Sequence, residues 1–108
     1  MAAEGRRSAR TAFHGWVELA VAGERLLATA CDLSEGGIGL QLSAPHPAPG
    51  ARVETEFALP GFGVPLAVSA RVAWSDVAAG RLGLVFDPLD VAVAELLQSA
   101  VAGRFRAG

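Results

Sequence analysis

The alternation of apolar and polar residues lays out most of the chain. Val17, Leu19 and Val21 occupy every second position within residues 11–22, with Glu18 between them. This period of two turns one side of an extended segment toward a core and the other toward water. A second apolar segment, residues 24–33, follows Gly23, so the pair reads as a hairpin turning at Ala22-Gly23. Ile38, Leu40 and Leu42 alternate again, and SAPHPAPG at 43–50, with three prolines, is a loop. Val53, Thr55, Phe57 and Leu59 line one face of a half-buried strand whose other face is Arg52, Glu54 and Glu56. PGFGVP at 60–65 is a second loop. Leu66, Val68, Ala70, Val72 and Trp74 then share a face opposite Ser69, Arg71 and Ser75, and Gly80 turns this strand into residues 81–86.

The period lengthens after Asp87. Leu89, Val93, Leu96, Leu97, Ala100 and Val101 fall near helical spacing, which predicts a helix over about 88–103. Asp87 or Asp90 suits its N-cap, Pro88 its first turn and Gly103 its stop. Six short strands followed by one helix predict an all-β fold, a small antiparallel barrel with its mouth or side covered by the helix.

Composition narrows the class. A chain of 108 residues, 52% of them hydrophobic, suits one domain with a real core. The net charge of −2 argues against nucleic acid as a partner. Residues 1–10 hold Arg6, Arg7 and Arg10 against Glu4 alone, so a short basic arm precedes an acidic body of residues 11–108. The single cysteine, Cys31, excludes an internal disulfide framework and fits a reducing compartment. With no apolar run long enough to span a bilayer and no signal-peptide pattern, a soluble cytoplasmic protein without membrane insertion is expected.

Catalytic chemistry finds little support. His14 and His46 lie in different elements, no zinc-ligand spacing exists, and no glycine run matches a dinucleotide or phosphate-loop fingerprint. No catalytic residue, metal or cofactor is expected. Two polar clusters stand out instead. RRSAR at 6–10 is either a solvated tail or an anion clamp, since the guanidinium fork matches phosphate oxygens and the O6/N7 edge of guanine. CDLSEGGIGL at 31–40 contains Asp32, Ser34, Gly36 and Gly37. It is either a tight turn with an Asx-type hydrogen bond or a site. As a continued strand it would point Asp32 and Ser34 to the same side and Glu35 to the other, with Gly37 free to adopt positive φ beneath a ligand.

Arg6 and Arg10, with Arg7 between them, form RRxxR; Asp32, Ser34 and Gly37 form DxSxxG, with twenty-one residues between Arg10 and Asp32. In this the chain resembles the PilZ domain family, defined by RxxxR followed by [D/N]xSxxG. ARVAW at 70–74 and GRLGLVF at 80–86 resemble the late hairpin of that family, and the likeness runs through essentially the whole chain. The resemblance implies a six-stranded antiparallel β-barrel with a C-terminal helix. It also implies a non-enzymatic receptor for cyclic diguanylate (c-di-GMP), serving processes such as motility or biofilm formation. Arg6, Arg7 and Arg10 would hold phosphates and guanines. Asp32 and Ser34 would hydrogen-bond guanine, Gly36 and Gly37 would shape the floor, and Trp74 is a further ligand contact. Ordering of the arm would signal to a downstream protein partner from a monomer or weak dimer. The alternative is a nucleotide-independent PilZ-type interaction adaptor. Gly5 departs from members that carry a basic residue there and bind a stacked ligand pair, which weakens the expectation of that mode.

Overall fold

The computed structural model describes residues 11–59 and 63–102. Six strands precede one helix: β1 (Thr11–Val21), β2 (Glu24–Leu33), β3 (Gly37–Gln41), β4 (Arg52–Ala58), β5 (Pro65–Asp76), β6 (Arg81–Phe86) and α1 (Val91–Val101). The strands close into an antiparallel barrel in the order β1-β2-β3-β6-β5-β4. Closure removes the free sheet edges that would otherwise invite pairing with another chain. Ala22 and Gly23 both have positive φ, 50° and 83°. This is the two-residue turn whose twist suits a tight hairpin.

The inward faces follow the alternation. Val17, Val53, Ile38, Leu40 and Leu82 are fully buried, and Phe57 packs edge-on to Phe13 and stacks with Phe86. Thr55 is the polar exception on β4; its hydroxyl donates to the Val68 carbonyl at 2.8 Å, which satisfies it within the core.

The strand register shifts at three places, on β1 between Ala12 and Gly15, on β2 and on β5, and the last two each change a side chain expected from the alternation. On β2, Ala30 pairs with Leu40 and Asp32 with Gly39, leaving Cys31 as an extra residue. The extra residue resets the parity: Leu33 enters the core, and Asp32 is turned outward. On β5, Val72 pairs with Leu84 and Trp74 with Gly83, leaving Ala73 extra. Trp74 therefore does not continue the face of Leu66, Val68 and Val72; it is 45% exposed on the outside of the barrel.

The helix starts at Val91, later than the spacing predicts. Asp90 is its N-cap, accepting from the Val93 N–H at 2.9 Å, and Pro88 precedes the cap instead of sitting in the first turn. Asp87 is engaged elsewhere. It receives Arg52 Nη2 at 3.0 Å and Arg71 Nε at 3.3 Å, tying β4 and β5 to the chain entering the helix. Leu97 and Ala100 are buried, with Leu89, Val93 and Leu96 packed on the same core. Gln98 Nε2 donates to Glu35 Oε1 at 3.4 Å, which sets the helix beside the β2–β3 turn. The expected stop at Gly103 lies outside the described residues. No helix among the described residues is long and apolar enough to cross a membrane.

Candidate functional site

The bulges on β2 and β5 turn Asp32 and Trp74 onto one outer surface, and the strand registers align them. Asp32 pairs with Gly39, Gly39 with Gly83, and Gly83 with Trp74. A single row thus crosses four strands, with a carboxylate at one end, an indole at the other and two glycines between. At about 4.8 Å per strand the ends stand about 14 Å apart along the sheet.

Both end residues lean inward over the neighbouring glycine. A Cβ on Gly39 would come within 2.8 Å of Asp32 Oδ1 and 3.0 Å of Oδ2. A Cβ on Gly83 would run into Nε1 and Cε2 of the Trp74 indole. Only glycine lets the carboxylate and the ring lie down over the strands, where they cover Gly39 and Gly83 and leave both buried. Glycine inside a strand weakens it and commonly marks such a close approach.

The 34–37 turn walls one side of this row. β2 ends at Leu33, so Ser34 belongs to the turn and not to an extended strand beside Asp32. Ser34 is buried, and its hydroxyl holds the turn: it accepts from Gly37 N–H at 3.1 Å and Gly36 N–H at 3.3 Å and donates to the Gly37 carbonyl at 3.3 Å. Where an Asx-type hydrogen bond is expected, the turn is thus locked by a serine hydroxyl. Gly36 accepts from the Phe86 N–H at 2.8 Å, which fixes the turn to β6. Gly37 does not have positive φ, contrary to expectation. Glycine is needed there because a Cβ would run into the Leu84 carbonyl oxygen, a backbone atom of the paired strand. Ser34, Gly36, Gly37, Trp74 and Gly83 line a cleft of about 200 Å³. Glu35 is exposed, but on the turn and not on a continued strand.

Arg6, Arg7 and Arg10 lie outside the described residues. The described chain begins at Thr11, one residue before Ala12, which is the β1 partner of Asp32. The arm therefore joins the barrel next to the carboxylate end of the row.

The histidines and the cysteine take no part in the row. His46 bridges the Leu42 carbonyl at 3.1 Å and the Ser75 hydroxyl at 2.6 Å, pinning the proline loop to β5. Since a carbonyl only accepts, Nε2 carries the proton toward Leu42 and Nδ1 receives Ser75 in the neutral ring. Among the described residues no three His, Cys, Asp or Glu side chains gather to hold a metal ion. Gly39 and Gly83 escape a reading of the sequence by residue chemistry, having none. The available signal was glycine at the outward position of two alternating segments, Ile38-Gly39-Leu40 and Leu82-Gly83-Leu84.

Comparison with known proteins follows the same lines. The sequence pattern of the family described as PilZ domain matches residues 4–103. No curated protein sequence matches the chain. The fold is similar to the PilZ domain with c-di-GMP of YcgR from Escherichia coli, with a TM-score of 0.73 and 23% identity over 93% of this chain and 91% of that one. It is similar to the PilZ domain of CeSA from a cellulose-synthesizing bacterium, with a TM-score of 0.71 and 22% identity over 88% of this chain and 96% of that one. The inhibitor of motility MotI/DgrA of Bacillus subtilis gives a TM-score of 0.75 and 18% identity over 92% of this chain. The chain spans about half the length of that protein, 50% of it. At these identities the likeness is one of fold.

Proposed function

Because this chain belongs to the PilZ domain family, matched over residues 4–103, we propose that it is a receptor for cyclic diguanylate. The observation that carries this reading is the row Asp32–Gly39–Gly83–Trp74, with an arginine-rich arm joining the barrel at the carboxylate end. The ligand has two guanines and two phosphodiesters, and the row with its arm offers a group for each feature. A guanine set against the barrel between Asp32 and Trp74 meets the Asp32 carboxylate with its N1–H and N2–H₂ donors. The Trp74 face stacks a purine; such stacking contributes about 1–3 kcal/mol per base. Arg6, Arg7 and Arg10 supply paired donors to phosphate oxygens and to the O6/N7 edge of guanine. Ser34, Gly36 and Gly37 border the cleft at the Trp74 end of the row, and the Ser34 hydroxyl serves the ligand by fixing that border.

In this reading the fixed half of the site is built into the barrel and the other half arrives on the arm. Binding holds the arm against the barrel and changes the surface offered to a downstream protein. The YcgR PilZ domain was solved with c-di-GMP, and MotI/DgrA is named an inhibitor of motility. Both accord with a signalling role.

Isothermal titration of the full chain with cyclic diguanylate tests the proposal. Saturable heat is expected, with binding lost or greatly weakened in Arg10→Ala and in Asp32→Ala. No heat at tens of micromolar would overturn the receptor reading and leave a nucleotide-independent PilZ-type adaptor. Normal binding by Arg10→Ala would overturn the residue assignment alone.

A further inference from the structure

Across the barrel from β3 and β6, the outer surface of β2, β1, β4 and β5 carries a second aligned row. Leu27 pairs with Glu18, Glu18 with Glu56, and Glu56 with Ala67. Trp16 and Ala58 lie two positions further along β1 and β4, and Ala58 pairs with Pro65. Trp16 is 67% exposed and Leu27 59% exposed, so neither is there to fill the core. Together with Ala58, Pro65 and the two glutamates they line an open groove of about 320 Å³.

The charges in this groove oppose folding. Glu18 and Glu56 stand directly opposite each other on antiparallel strands, an arrangement that destabilises a sheet. Arg25 holds Glu18 at 3.0 Å, at an exposed pair. Glu56 has no ion pair among the described residues. An exposed tryptophan beside two carboxylates is the complement of a cation carried between apolar side chains: the ring attracts the cation, and the carboxylates neutralise it. A second copy of the chain fits poorly. Face-to-face pairing would bring four glutamates together, and residues 11–108 hold ten carboxylates against six arginines.

We propose that this groove is a docking surface for a partner protein presenting an arginine or lysine between apolar side chains. Trp16 and Leu27 take the apolar flanks, and Glu18 and Glu56 take the cation. The proposal is independent of nucleotide binding.

Amide and indole NMR of the full chain tests it, with the peptide Leu-Arg-Leu-Arg-Leu as probe and Leu-Gln-Leu-Gln-Leu as control. The arginine peptide is expected to shift the Trp16 indole N–H and the Leu27 amide while leaving the Trp74 indole in place. Binding should weaken about tenfold or more in the control, and likewise in Glu18→Gln/Glu56→Gln. Equal binding of both peptides, or no shift at millimolar arginine peptide, overturns the proposal. A Trp16 signal that moves with protein concentration assigns the groove to self-association. One that moves on Arg7→Ala without peptide assigns it to the chain's own basic arm. Both results also overturn the proposal. Separately, Glu56→Gln should raise Tm by roughly 1–5 °C by relieving the opposed charges. A fall in Tm removes the premise that the pair is kept against folding.

Discussion

Replacing Gly83 by alanine separates the stacking role of Trp74 from the integrity of the barrel. The new methyl group would occupy space now held by the indole, reaching within 2.9 Å of Cδ1 and closer still to Nε1 and Cε2. The β6 backbone has little freedom to retreat, because Gly83 is paired with Gly39 on one side and Trp74 on the other. The ring must swing off the strand. Trp74 is already 45% exposed, so only part of its surface is at stake. Returning about 60 Å² of a tryptophan surface to water costs about 1.5 kcal/mol at roughly 25 cal/mol per Å². Removing a strand glycine recovers about 0.5–1 kcal/mol. The fold should survive with a net loss near 1 kcal/mol. Binding should suffer more: losing one base stack, about 1–3 kcal/mol, weakens Kd by about 5- to 150-fold. Isothermal titration and thermal melts of Gly83→Ala, Trp74→Ala and the double variant make the assay. Each single change should weaken cyclic diguanylate binding by a similar factor, and Gly83→Ala should add little in the Trp74→Ala background. Wild-type affinity in Gly83→Ala, or fully additive losses in the double variant, would refute the idea that the glycine acts by seating the indole.

Other substitutions probe the rest of the site and its frame. Gly39→Ala crowds a movable carboxylate, so it should leave Tm nearly unchanged yet weaken nucleotide binding about tenfold, as titration would show; unchanged affinity would remove Asp32 from the site. Ser34→Ala strips a buried hydroxyl from the two N–H donors of the turn, which should cost about 1–3 kcal/mol in urea denaturation. Asp90→Ala removes the helix N-cap and should cost about 1 kcal/mol in the same assay without altering nucleotide affinity.

The inward faces were legible because burial imposes a strict period on each strand, as in Val53, Thr55, Phe57 on β4 and Leu66, Val68, Ala70, Val72 on β5. The hairpin at Ala22-Gly23 and the existence of the helix were legible for the same reason. What the pattern hides is a bulge. A single extra residue at Cys31 or Ala73 inverts the parity of everything after it, and neither residue has a side chain that announces the insertion. Trp74 therefore reads as a core residue by spacing although it stands outside. The helix start is ambiguous in the sequence because Asp87 and Asp90 are equally good caps in isolation. The choice is made by Arg52 and Arg71, which claim Asp87 from distant strands. Asp32 and Ser34 were recognisable as a motif, but their division of labour was not. The bulge at Cys31 turns Asp32 outward, and the strand ends after Leu33, which commits Ser34 to the turn.

The most direct test of the nucleotide site is an amide and indole NMR titration of the full chain with cyclic diguanylate. The amides of Asp32, Gly39 and Gly83 and the indole N–H of Trp74 should shift together and saturate, while Trp16 and Leu27 stay in place. Saturating shifts that avoid the Asp32–Trp74 row, or no shifts at all, would contradict the site described above.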